Sequence, residues 1–225
     1  MARVERFSNR TPTASSNVFT CRLTVDLGTR ITLAAALKAW DPKTPYLIKP
    51  NCGGSGNDIT LSSAKSVRSS DHLVLLQSYV ESPTDTLVRM EFVDRELVYA
   101  LQVRTSREDF NNCPSDHCTV EHCPIGGSKF SRLEGFPRPP AERDMVRGLQ
   151  RLIAANRLDI AGVEAVLDKD GKWWIIDINC VNTNYNRKIE SRCAPGRGGT
   201  ARVADLLVRR AAAHRPPAET DPPAV

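Results

Sequence analysis

Short apolar-rich runs broken by turn residues dominate this chain, and their lengths predict strands more often than helices. Residues 46–49 read as one strand. Residues 73–80, 86–93 and 97–104 read as three more, the last two joined by a tight turn at Asp94-Arg95-Glu96. Residues 31–40 read as a short helix. Over residues 140–158 the period changes: Met145, Leu149, Leu152 and Ile153 fall at helical spacing, and Pro139-Pro140 suits a helix start. A basic helix is expected at residues 201–213, after a loop at 182–186. There is no internal repeat. The order of elements predicts an α+β fold of two small lobes with antiparallel sheets.

The stretch from Asp159 to Asn179 carries the strongest chemical signal. Asp170-Gly171, set between two apolar runs, reads as a two-residue hairpin turn, because a type I′ turn needs positive φ at both central positions. With that turn Lys169 sits opposite Lys172, Glu164 opposite Asp177, and Gly162 opposite Asn179. Alternation then puts Glu164, Asp177 and Asn179 on one face and Val163, Ala165, Leu167, Trp174, Ile176 and Ile178 on the other. Facing carboxylates repel unless a cation neutralises them, and donors that are all oxygen suit Mg²⁺ or Mn²⁺. The same alternation fits a surface hairpin with a solvated polar face, so this motif alone leaves both readings open.

The strand at 46–49 ends in Lys49-Pro50 and is followed by Gly53-Gly54-Ser55-Gly56. Proline cannot donate to a central ladder, so the strand is expected to end near it. Three glycines around a serine let backbone N–H groups approach an anion, and Lys49 adds a positive charge. The lysine precedes the glycines, which sets this loop apart from the GxxxxGK[ST] and GxGxxG phosphate motifs. By itself it reads either as a phosphate site or as a flexible linker, with Lys49 favouring phosphate.

Taken in order, these motifs resemble the ATP-grasp superfamily over roughly residues 40–185. Leu47-Ile48-Lys49-Pro50 with Gly53, Gly54, Ser55 and Gly56 is similar to that family's phosphate-binding lysine and mobile glycine-rich loop. Residues 73–80 resemble its hinge strand, whose backbone holds adenine, here at Gln77, Ser78, Tyr79 and Val80; Ser78 stands where a glutamate is usual. Asp85 followed by Arg89 resembles the strand whose arginine follows an acidic residue. Glu164, Asp177 and Asn179 occupy the places of the family's metal ligands.

The resemblance implies an ATP-grasp-like α+β fold whose lobes clasp ATP, with one or two Mg²⁺ (or Mn²⁺) ions bridging its phosphates. It also implies an ATP-dependent ligase that joins a small-molecule carboxylate to an amine through an acyl phosphate. Arg104 is the expected stabiliser of the transferring group and Arg89 the second candidate. Each arginine also has a plainer reading as the partner of a carboxylate, with Glu91 ready beside Arg89. Two alternatives remain: an ATP-binding module that does not catalyse, and a small-molecule kinase on the same fold. The family normally carries a preceding α/β domain and another basic phosphate ligand upstream. The 48 residues before Lys49 are too few for that, so a shortened member, an upstream start, or a homodimer or partner domain completing the cleft is expected.

Composition changes this picture little. The 225 residues are 40% apolar and 25% charged, as in an ordinary globular domain. One ATP-grasp-like domain is expected over residues 1–213, with a proline-rich disordered tail at 214–225. The chain has no apolar stretch of bilayer length and no signal-like apolar region at its start, so a cytoplasmic protein without a membrane partner is expected. The formal charge of +5 gathers between Arg187 and Arg215, a stretch without interleaved aromatics or a nucleic-acid module, so a solvated or anion-facing surface is expected there. Cys113, Cys118 and Cys123 lie among His117 and His122 densely enough to bind zinc, but not at CxxC spacing. An insertion with free thiols near the acceptor pocket is the plainer reading.

Overall fold

The computed structural model describes residues 38, 43, 45–50, 59–61, 74–105, 130–180, 185 and 187–213. The glycine-rich loop at 53–56, most of the helix expected at 31–40, the cysteine-rich stretch at 113–123 and the tail at 214–225 lie outside the described residues. The described chain is α+β with two antiparallel sheets.

The smaller sheet joins β1 (Tyr46–Pro50), β2 (Thr60–Leu61) and β3 (Val74–Ser78) in the order β2-β1-β3. In the larger sheet β4 (Thr86–Val93), β5 (Glu96–Arg104), β6 (Phe130–Arg132), β7 (Ile160–Leu167) and β8 (Trp173–Asn179) run in the order β6-β5-β4-β7-β8. The hairpin of β4 and β5 closes on Asp94 and Arg95 alone, both with positive φ, so Glu96 belongs to the strand rather than the turn. β3 stops at Ser78, two residues short of the expected run.

Helix α1 (Pro140–Ala155) lies on one face of the larger sheet. Pro140 opens it without losing a ladder bond, since first-turn N–H groups have no intrahelical partner. Met145, Val146, Leu149 and Ile153 are buried in one cluster with Val88, Met90 and Phe92 of β4 and Ala161, Val163 and Ala165 of β7. The helix ends three residues before the periodic pattern does. Arg157 turns left-handed (φ 55°), and the N–H of Leu158 reaches back to the carbonyl of Ile153 at 3.0 Å. Leu158 thus continues the apolar face as part of a helix cap, packed against the same cluster.

Two helices complete the described fold, the single-turn α2 (Arg187–Glu190) and the longer α3 (Gly199–Ala213). Glu190 accepts hydrogen bonds from the N–H groups of Gly199 and Thr200, both at 3.0 Å, and so caps the start of α3. Among the described residues no helix is long and apolar enough to cross a membrane.

Candidate functional site

The hairpin of β7 and β8 pairs Glu164 with Asp177 and Gly162 with Asn179, as the sequence predicts, but by a different route. At the tip Leu167 pairs with Trp173 and Val166 with Trp174, one residue out of step with a turn centred on Asp170-Gly171. The Lys169–Lys172 pair does not form. Asp168 closes the tip instead: one oxygen accepts the N–H groups of Asp170 and Lys172, both at 2.9 Å, and the other accepts Trp174 Nε1 at 2.6 Å. Register returns at a bulge, where the pairing passes from Ala165–Ile175 to Glu164–Asp177 and leaves Ile176 extra. Without the bulge, Asp177 would face Val163 and α1.

Bulges re-aim side chains in this way. Trp173 and Ile175 consequently pack in the α1 cluster, and Ile176 packs with Leu87, Val103 and Val166 on the other side. Alternation counted from Asp170-Gly171 puts Trp174 and Ile176 on the core face instead; one extra residue of register at the tip inverts that part of the strand.

The face that carries Glu164 and Asp177 also carries Arg89 and Glu91 of β4, and Arg89 lies directly across from Glu164. Arg89 Nε donates to Glu91 Oε1 at 2.6 Å and Nη1 donates to Glu164 Oε1 at 3.0 Å. The Glu91 side chain is completely buried. Burial pushes the pKa values of both glutamates up, with Arg89 acting against it in each; Asp177 raises that of Glu164 further and Lys49 lowers it. Burial also opposes the charge on Arg89, but Glu91 and Glu164 outweigh it and hold the guanidinium pKa above its ordinary value. Gly162, across from both Glu91 and Asn179, makes room for the trio: a Cβ there would stand 2.7 Å from Arg89 Nη2.

Lys49 brings the smaller sheet to this cluster. On β1 it shares a face with Leu47, opposite Leu75 and Gln77 of β3, and its Nζ donates to the carbonyl of Ile176 at 3.2 Å. The bulge therefore serves both sheets, since it turns Asp177 to the face of Glu164 and places a carbonyl where Lys49 reaches it. Tyr79 N–H bonds to the carbonyl of Pro45 at 2.8 Å, and Val80 packs with Leu87, Val103 and Ile176, so the segment from Gln77 to Val80 passes from one sheet to the other. Gln77 is buried on the Lys49 side of the smaller sheet and Ser78 points to the other side.

The structure thus gathers Lys49, Arg89, Glu164 and Asp177, with Asn179 on the same face. Two expected residues stand apart. Arg104 ends β5 opposite Thr86, exposed, on the α1 face of the sheet rather than the Glu164 face. Asp85 precedes β4 with a positive φ of 49°, and its carbonyl accepts the N–H of Thr105 at 2.8 Å. Gly53, Gly54, Ser55 and Gly56 lie outside the described residues.

Sequence reasoning places Gly162 opposite Asn179 but misses the room it makes for Arg89, and it misses the bulge. A glycine inside a strand signals close approach of another group, so the first could have been found; nothing in the sequence marks Ile176 as an extra residue. Among the described residues no three His, Cys, Asp or Glu side chains cluster as metal donors. A cation could be held by two carboxylates and one carboxamide, Glu164, Asp177 and Asn179. Those oxygen donors, one of them a glutamate whose burial disfavours its charge, fit a hard divalent ion.

No family model and no curated protein matches this chain. Its structure does have known counterparts. D-cycloserine synthetase DcsG superposes with a TM-score of 0.51 at 16% identity, covering 79% of this chain and 59% of that one. The ATP-grasp ligase PsnB, solved with a minimal precursor, superposes with a TM-score of 0.50 at 16% identity, covering 78% of this chain and 52% of that one. The chain has an ATP-grasp fold and spans somewhat more than half the length of these counterparts.

Proposed function

We propose that the cleft between the two sheets binds ATP with Mg²⁺, and that the chain belongs to an ATP-dependent ligase joining a carboxylate to an amine. The observation that carries this reading is the meeting of Lys49 with the Glu164–Asp177 pair at the Ile176 bulge. A cation for phosphate and a pair of carboxylates for a metal come from different sheets, as a site gripping a metal–phosphate complex requires. That fold is also the one named in PsnB, a ligase, and DcsG bears the name of a synthetase.

In this reading Lys49 and the loop at Gly53–Gly56 hold phosphate, and the backbone from Gln77 to Val80 lines the adenine. Glu164, Asp177 and Asn179 hold Mg²⁺, which when bound supplies charge neutralisation to the phosphates. The substrate carboxylate takes the γ-phosphoryl group and ADP leaves. The amine then attacks the acyl carbon, releasing phosphate and a proton. The two sheets exclude water from a group that would otherwise hydrolyse.

One observation favours a second reading, a nucleotide-binding module that does not catalyse. Arg89 is committed to two carboxylates and Arg104 lies on the opposite face, so neither is placed to meet a transferring phosphoryl group. Calorimetry of ATP with the whole chain separates these readings from a mere surface hairpin. Binding that requires Mg²⁺ is expected, and its absence at millimolar nucleotide with folded protein sinks both. ADP release on mixing with candidate carboxylates and amines then distinguishes ligase from module.

A further inference from the structure

The trio of Arg89, Glu91 and Glu164 is a poor investment in stability. Removing ions from water costs several kcal/mol each before their attraction offsets it, and apolar residues of similar volume often stabilise as well or better. Two of its atoms, Arg89 Nη2 and Glu91 Oε2, are buried with no hydrogen-bond partner among the described residues, which adds to the cost. A cluster of this kind in the middle of a packed sheet calls for a reason other than holding the sheet together.

Its geometry supplies one. Glu91, completely buried, holds Nε of Arg89, so the guanidinium cannot rotate about its stem. The fork then presents Nη1 to one oxygen of Glu164. A carboxylate held at one oxygen presents the other in a fixed direction, and Glu164 lies directly across from Asp177. We propose that Arg89 is a positioning residue: clamped by Glu91 and seated over Gly162, it orients Glu164 to ligate a divalent cation. This rests on the reading of the cleft as a metal–nucleotide site. Arg89 does not touch the nucleotide; it acts through Glu164, as hydrogen-bond partners behind metal ligands commonly do. Gly162 belongs to the device because the space over it is taken by the fork. A Cβ there would come within 2.7 Å of Nη2 and 3.1 Å of Glu91 Oε2, so the guanidinium would have to move.

Gly162→Ala is therefore the sharpest variant, since it displaces the fork and leaves every charge in place. The experiment titrates Mn²⁺ into the whole chain with saturating ADP, following free Mn²⁺ by electron paramagnetic resonance. Metal-free ADP binding and thermal melting are measured beside it. Gly162→Ala and Glu91→Gln are expected to weaken Mn²⁺ binding roughly 10–100-fold and to leave metal-free ADP affinity unchanged. Arg89→Lys, which keeps the charge but not the planar fork, should fail to restore wild-type Mn²⁺ affinity. Wild-type Mn²⁺ affinity in Gly162→Ala overturns the proposal while the cleft reading stands. Equal losses of Mn²⁺ and metal-free ADP affinity also overturn it, because they show general damage. Failure of the wild-type chain to bind Mn²⁺ with ADP overturns the cleft reading itself. If Glu91→Gln does not fold, Gly162→Ala decides alone.

Discussion

The two faces of the larger sheet obey opposite rules. On the α1 face, Val88, Met90 and Phe92 meet Met145, Leu149 and Ile153, and apolar burial dominates. On the other face the same strands bury Glu91 and Glu164 and half-bury Arg89, beside Leu87, Val103 and Val166, and two polar atoms of that trio, Arg89 Nη2 and Glu91 Oε2, have no hydrogen-bond partner among the described residues. One strand, β4, supplies both arrangements from alternate positions. The α1 face is thus arranged for stability, each side chain adding apolar area at little electrostatic cost. The other face tolerates an electrostatic cost, which makes sense where charge is needed for a ligand.

The largest effect that tests this division is on the apolar face. Leu149→Ala should cost about 2–5 kcal/mol of unfolding free energy, because the residue is almost completely buried and its neighbours are fixed by a sheet. Denaturant unfolding measures it. Mg²⁺-dependent nucleotide affinity of the fraction that stays folded should be unchanged. A loss of affinity in that fraction would show that α1 and the cleft are coupled.

Asp177→Asn should do the reverse. It removes one of two facing carboxylates from an exposed position, so apo stability should stay within about half a kcal/mol or rise. Metal-dependent nucleotide affinity should fall about tenfold or more, since removing a ligand costs at least as much as removing a hydrogen-bond partner behind one. Calorimetry with and without Mg²⁺ reads the affinity; unchanged binding would remove Asp177 from the site.

The smallest effect belongs to the hairpin tip. Its slight burial acts against the charge on Asp168, but hydrogen bonds from Trp174 and from the backbone of Lys172 and Asp170 outweigh that and hold its pKa below the ordinary carboxylate range. A depressed folded-state pKa means a contribution fully present above the unfolded value and lost as pH falls through the folded one. Asp168→Asn should cost about 1 kcal/mol at neutral pH. The gap from wild type should close on acidification below the ordinary aspartate range, with Mg²⁺-nucleotide affinity untouched. A gap that persists at low pH would assign the effect to packing rather than to the carboxylate.

Much of this was legible because it is local. Apolar periodicity located α1, and the apolar run at residues 46–49 located β1, whose pairing with β3 continues through Pro50. The pairing of Glu164 with Asp177 was legible in a weaker sense. Counting from Asp170-Gly171 reached it only because two deviations of one residue cancel, the longer tip and the bulge at Ile176. The count failed for the residues between them, and so Ile176 and Trp174 were assigned to the wrong face.

By itself the sequence determined six of the eight described strands, both longer helices, and which residue types could meet a metal or a phosphate. These depend on period, turn chemistry and side-chain identity, all set within a few positions of the chain. The two- and three-residue strands β2 and β6 are too short to show a period. Only the tertiary structure decided that Arg89 lies across from Glu164 and that Gly162 leaves room for the fork. Those facts come from pairing β4 with β7, strands separated by β5, β6 and α1. It alone placed Arg104 on the far face and brought Lys49 to the carbonyl of Ile176. A period of two says that a strand has two faces; which one meets the cleft depends on register, and one extra residue reverses it.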